Sequence, residues 1–339
     1  MKKYFYLLMT AFLAVAFQSC SKDDDTEEIN VLEKNYLSIE RGIYKNGPFP
    51  TATTGETLNG VDMSNQVMNG AMNFISVITE QKIEKFFIAI KRVEGYYEYY
   101  PTENSTGAGG SSEYYTYVIP VMISQSYTGN STLVLSAQLE SGDITTPIEN
   151  EMFYIETQPG ELEIKLGFSN NKDIDLHLYT PSGMHIYYGD RGGVYTNDEG
   201  EEITFGLDID SNASCHIDGI NKENIYIPSE LVENGVYTVI VDMFSNCDSS
   251  IPTSWSVVAR YQGKIITPTS GNNPASGIYP SGAGTGDMSK VMTFTINNGN
   301  SSTRSSVGNK LNGYSFKPIP LSDMDEMKLL ESNFRQTGL

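Results

Sequence analysis

Lys172 to Asp190 reads KDIDLHLYTPSGMHIYYGD and sets Asp173, Asp175, His177 and His185 along one short stretch; the whole chain has three histidines. Carboxylates and imidazoles at such spacing suit two chemistries. A transition metal would need both histidines and a carboxylate such as Asp175, because catalytic zinc takes three protein ligands. That reading makes the chain a metal-dependent hydrolase using Asp173, Asp175, His177 and His185. A hard cation would instead use oxygen alone. LDID, residues 207–210, repeats the Asp-x-Asp spacing with Asp208 and Asp210, and ENIYIP, residues 223–228, adds Glu223 and Asn224. Calcium takes six to eight oxygen ligands, so Asp173, Asp175, Asp208, Asp210 and Glu223 form the expected calcium set. The opposing reading spreads these acids over separate strand ends, each solvated. A serine triad is excluded because no serine sits in a G-x-S-x-G elbow. No catalytic residue is assigned.

The element that must position these groups is a hairpin. In TPSG, residues 180–183, Pro181 suits the second position of a type I turn and Gly183 the left-handed residue of the bulge that follows. This turn predicts Tyr179 opposite His185, Leu178 opposite Ile186, His177 opposite Tyr187 and Leu176 opposite Tyr188. Ile174, Leu176 and Leu178 then share an apolar face with Ile186 and Tyr188. Asp173, Asp175, His177 and Tyr179 lie on the other face with His185 and Tyr187. A one-residue slip would mix the faces.

Around the hairpin the chain reads as all-β. Runs such as MNFISVIT (72–79), KFFIAIKRV (85–93), YYTYVIPVMISQSY (114–127) and STLVLSAQLE (131–140) predict an immunoglobulin-like sandwich over 34–148. ELEIKLGF (161–168), GVYTVIVDMF (235–244), SWSVVARY (254–261), KIITPT (264–269) and KVMTFTI (290–296) predict a second sandwich, immunoglobulin-like or jelly-roll-like, over 151–297. The two stand in tandem. Residues 298–339 form a Ser/Asn-rich linker and a short helix at 322–336, where Ser322 and Asp325 resemble a capping box. The tyrosine clusters around the Gly/Ser-rich loop 101–113 supply Tyr96, Tyr97, Tyr114 and Tyr115 as candidates for stacking on a sugar ring. Aromatic residues in strands also serve plain packing.

The chain start bears on location. Lys2 and Lys3 precede the apolar run YFYLLMTAFLAVAF, and QSC follows. This resembles the lipobox of bacterial lipoproteins, with Phe17 where leucine is commoner, and implies a signal peptide over 1–19 and acylation of Cys20. Several acyl chains would anchor the protein stably in lipid. The acidic stretch SKDDDTEE, within a tether over 20–33, resembles the signal that exports some lipoproteins to the outer face of the outer membrane. A formal net charge of −20 argues against nucleic acid as a partner, which wants basic patches. With Cys20 acylated, Cys215 and Cys247 remain, an even pair in an oxidising compartment, and predict one disulfide.

The blocks DIDLHLYTPSGMHIYYGD, Gly192-Gly193, GLDIDSNASC, INKENIYIP and NGVYTVIVDMFSNC occur in one order. They resemble the YfaP-like domain, a bacterial β-sandwich of unknown function, over about 161–297. The insertion VYTNDEGEEITF between the glycine pair and LDID departs from that pattern. The resemblance implies a sandwich and assigns no catalytic residue. The expected function is a non-catalytic cell-surface lipoprotein, a ligand-binding or accessory module for a glycan or a surface protein. The hydrolase, and a structural subunit of a surface appendage completed by a partner's strand, are the alternatives.

Overall fold

The computed structural model describes residues 30–101, 106–107 and 114–297. The signal peptide, Cys20, the acidic stretch and the expected C-terminal helix lie outside these residues. Among the described residues no helix is long and apolar enough to cross a membrane.

Among the described residues a short helix α1 (Val31–Asn35) comes first, capped by the Asn30 side chain on the Glu33 amide. It lies where the sequence reading places unstructured tether, because Leu32 is buried in the first core. The first sandwich then runs through β1 (Leu37–Ile39), β2 (Ile43–Lys45), β3 (Val61–Met63), β4 (Gln66–Val67), β5 (Met72–Thr79) and β6 (Ile83–Ile90). It continues through β7 (Tyr96–Tyr99), β8 (Thr106–Gly107), β9 (Tyr114–Ile123), β10 (Ser131–Leu139) and β11 (Ile148–Tyr154). One sheet has the order β1-β9-β5-β3, with β8 also on β9; the other has β2-β7-β6-β10-β11-β4. The expected boundary at 148 is therefore six residues early. IENEMFY pairs with β10 and buries Met152 in the first core.

The second sandwich comprises β12 (Leu162–Phe168), β13 (Asp173–Tyr179), β14 (His185–Ile186), β15 (Gly192–Thr196), β16 (Glu202–Ile209) and β17 (Lys222–Ile227). After these come β18 (Gly235–Ser245), β19 (Thr253–Tyr261), β20 (Lys264–Ile265), β21 (Ser270–Gly271), β22 (Ala275–Tyr279) and β23 (Asp287–Ile296). One sheet has the order β15-β16-β17-β12-β19-β20, with β22 also on β19; the facing sheet is β14-β13-β18-β23-β21. Period-2 alternation explains the arrangement. Leu162, Ile164, Leu166 and Phe168 from β12 meet Ile174, Leu176 and Leu178 from β13 and Val239, Val241 and Met243 from β18 in one core. The β19–β20 hairpin turns at Gln262-Gly263, both at positive φ, as two-residue hairpins require.

Lys165 of β12, Lys222 of β17 and Arg260 of β19 point away from this core yet are buried. They face the first sandwich across a seam built of cations. Lys165 donates to the Asn69 backbone and side-chain oxygens at 2.9 and 3.0 Å. Lys222 donates to Asn73 Oδ1 and Ser64 Oγ, each at 3.3 Å, and to the Ile220 carbonyl at 3.0 Å. Arg260 donates to the Gly70 carbonyl, and Gln125 to Glu163 at 3.2 Å. Ser64 Oγ donates to the Gly219 and Ile220 carbonyls at 3.0 Å. Burial lowers the pKa of all three cations: Lys165 (against the opposing pull of Glu163), Arg260, and Lys222, which is pushed down to about 7. Gly167 at the centre of the seam lets the Met72 carbonyl come close enough that a β-carbon there would sit 2.0 Å from its oxygen.

Candidate metal centre

The hairpin turn is as read from the sequence. The Gly183 amide donates to the Thr180 carbonyl, Gly183 has φ +86°, and Leu178 faces Ile186 while Tyr179 faces His185. The pairing then stops. Tyr187 and Asp190 exchange both backbone hydrogen bonds in a tight turn of their own, so the expected Leu176–Tyr188 pair does not form. Tyr188 packs on His177, Tyr187 and Phe244 rather than joining the apolar face. The vacated Leu176 amide is taken by the Glu223 carboxylate at 2.6 Å.

That bond explains how an acid comes to lie inside the sandwich. Glu223 shares the inward parity of Ile225 and Ile227 on β17, and it is 0 % exposed. Its Oε2 binds the open edge of β13, while Oε1 is buried with no hydrogen-bond partner. Asp210 is brought beside it by a bulge between Leu207 and Ile209, which pairs Ile209 with Asn224. The bulge also separates Asp208 from Asp210, contrary to the shared face their spacing predicts. Asp208 instead accepts from the Asn224 side chain and the Gln158 amide, both at 2.7 Å. Asp173 accepts from the Ser214 amide at 2.7 Å. Of the five residues expected as one calcium set, the structure brings together Asp175, Asp210 and Glu223: one carboxylate oxygen from each lies within 4.8 Å of the others.

Burial raises the Glu223 carboxyl well above the usual carboxylate range, and the neighbouring Asp210 and Asp173 charges push the same way. Burial likewise raises Asp210, against the pull of Arg191, whose Nη1 is 3.8 Å from Asp210 Oδ2, and of a hydrogen bond shared with the Glu223 carboxyl. Asp175 also belongs to a second group with His177 and Asp242, again within 4.8 Å. Asp242 stands directly opposite Asp175 across the β13–β18 ladder. Sequence reasoning missed it, although an aspartate in the middle of GVYTVIVDMFS is the kind of break in apolar pattern that marks a polar site.

The histidines form a stack. The His185 ring lies 4.1 Å from Tyr179 and 3.9 Å from Tyr187, nearly parallel to both, and its Nε2 is hydrogen-bonded to His177 Nδ1 at 2.9 Å. Burial, then His177, drives the His185 pKa well below its ordinary value. Asp173, Asp175, His177 and His185 therefore do not converge on one point as a hydrolase would need. His177 and His185 bond each other, and Asp173 holds the Ser214 amide.

Asp173 and Ser214 sit beside the predicted disulfide, which is present. Cys215 and Cys247 are joined, linking the loop after β16 to the loop after β18. The candidate tyrosines scatter. Tyr97 is 3 % exposed in the first core, its hydroxyl accepting from Asn30 at 2.7 Å. Tyr96 packs on Phe49 and Phe87, and Tyr115 stacks on Tyr117. Tyr114 is 43 % exposed, on the opposite sheet from Tyr96. They form no common platform for a ring.

No family model matches the chain, and no curated protein matches it in sequence. Among solved structures, the C-terminal domain of the AgI/II polypeptide BspA of Streptococcus agalactiae is 9 % identical. That match covers 66 % of this chain and 96 % of that one, with a TM-score of 0.21. The collagen adhesin CNA of S. aureus is 7 % identical over 67 % of this chain and 96 % of that one, with a TM-score of 0.15. Similarity this low says nothing of what the chain binds. By its own sheets the chain is an all-β protein of two sandwiches in tandem.

Proposed function

We propose that this chain is a non-catalytic, lipid-anchored module displayed on the outer face of the outer membrane, where it binds a glycan or protein partner or serves a larger surface complex. The observation that carries the non-catalytic reading is the use made of its most reactive groups. Glu223 holds the β13 edge, and the two imidazoles hold each other. The seam supports a module that works as one unit, because Lys165, Lys222 and Arg260 each donate to an oxygen of the first sandwich. The anchor and export rest on Cys20 and the acidic stretch after it.

Cell fractionation tests this reading. Cys20→Ala should release the protein from membranes, and replacing Asp23, Asp24 and Asp25 together with alanine should leave it acylated but protected from external protease. Retention of the Cys20→Ala variant in membranes would defeat the anchor. Glycan arrays and cross-linking on intact cells should then recover a ligand. Metal-dependent turnover of an ester or peptide library by the purified protein would defeat the non-catalytic assignment.

A further inference from the structure

Two metal-ligating groups share Asp175, and they differ in chemistry. Asp175, His177 and Asp242 offer a nitrogen among oxygens, the mixture a transition metal prefers. His177 already commits Nδ1 to His185. Asp175, Asp210 and Glu223 offer oxygen alone. Glu223 is wholly buried, and neither its Oε1 nor Asp210 Oδ1 meets a donor in hydrogen-bonding geometry; without an ion, the two neighbouring carboxyls are left to share a proton, which a cation would displace. Arg191, 3.8 Å from Asp210 with half its side chain in solvent, sets a single, partly solvated positive charge against three carboxyls.

We propose that Asp175, Asp210 and Glu223 bind one calcium ion that ties the open edge of β13 to the β16–β17 end of the facing sheet. Three carboxylate oxygens within 4.8 Å of one another lie in reach of one hard cation, and calcium, with flexible coordination at about 2.3–2.6 Å, suits such a protein-lined corner better than magnesium, which dehydrates reluctantly and demands near-ideal octahedral geometry. Three protein oxygens leave positions for water, and Asp210 lies at the solvent side of the corner, its side chain 13 % exposed. The ion would sit next to the Leu176–Glu223 bond, so its place in the fold is to close the hairpin where β14 fails to pair. This inference does not depend on the surface-module reading, since it concerns the second sandwich wherever the protein resides.

The test uses the full chain in detergent, stripped with EDTA and titrated separately with calcium, magnesium and zinc chlorides by calorimetry and thermal melts. Calcium should bind one per chain, with an affinity expected of extracellular modules, about 10⁻⁴–10⁻³ M, and should raise the melting temperature. Glu223→Gln and Asp210→Asn should each weaken binding at least about tenfold. Asp210→Asn, at the solvent side, keeps the test decisive if Glu223→Gln does not fold. Absence of any calcium response at ten times that concentration overturns the proposal, and so does a calcium response unchanged in the folded variants. Zinc binding that is lost in His177→Ala but kept in Asp210→Asn, without a calcium site, overturns it in favour of the other group.

Discussion

Replacing Gly167 with alanine tests whether the seam makes one cooperative unit of the two sandwiches. The added β-carbon would lie 2.0 Å from the Met72 carbonyl oxygen, and ordinary contact begins at 3.4 Å. The backbones must therefore part by about 1.4 Å, since neither carbonyl nor strand can rotate away from a packed sheet. Lys165 bonds of 2.9 and 3.0 Å to Asn69, and Lys222 bonds of 3.3 Å to Asn73 and Ser64, would stretch beyond 4 Å, where no hydrogen bond survives. Overpacking alone costs about 1–3 kcal/mol. Each lost bond to a cation adds up to about 1.5–3 kcal/mol, less what rehydration returns once water enters. Both hydrophobic cores lie on the far faces of these sheets and stay intact, so the domains should uncouple rather than unfold together. The chain has one tryptophan, Trp255, buried in the second core. Its fluorescence therefore reports the second sandwich, while far-ultraviolet circular dichroism reports both. In urea the two probes should coincide for the wild type and diverge for Gly167→Ala, with the first departure at least about 1–3 kcal/mol earlier. Gly193→Ala, whose β-carbon would meet only Phe205 at 3.8 Å, is the control. Coincident transitions at an unchanged midpoint in Gly167→Ala would refute the coupling.

Removing the disulfide with Cys215→Ser and Cys247→Ser opens a loop closed across 32 residues. Chain entropy puts the cost near about 3.7 kcal/mol, or roughly 10 °C for a sandwich of this size; Trp255 fluorescence in a thermal scan measures it, and a change under a few degrees would show that the loops are already held by their hydrogen bonds. Tyr97 gives an alkaline test. Burial pushes its pKa up to about 12 from 10, so between these values the folded state keeps a proton that the unfolded state has shed. Its contribution is complete below pH 10 and is lost as pH rises through 12, by at most about 2–3 kcal/mol. Tyr97→Phe should flatten that part of the stability–pH curve, and an unchanged slope would show that the phenol ionises without cost.

What could be read from the sequence is what local geometry decides. Pro181 and Gly183 select the turn within four residues. Period-2 alternation along β12 and β13 assigns the inward positions because a polar residue separates each apolar pair: Ile164 and Leu166 flank Lys165, and Leu176 and Leu178 flank His177. What could not be read depends on a partner strand or a second domain. Asp208 and Asp210 share a spacing with Asp173 and Asp175, yet a bulge separates the first pair, and a bulge is set by the register of β16 on β17. Asp242 joins the site only through the β13–β18 ladder. In GYYEYY the alternation fits either face, and one residue of slip decides that Tyr97 and Tyr99, not Tyr96, enter the core. The seam is the strongest case. Lys165, Lys222 and Arg260 occupy outward positions that any alternating strand gives to solvent, and nothing local distinguishes them from surface lysines. Their burial follows from the first sandwich lying across them, and the missing side chains of Gly167 and Gly70 record how close it comes.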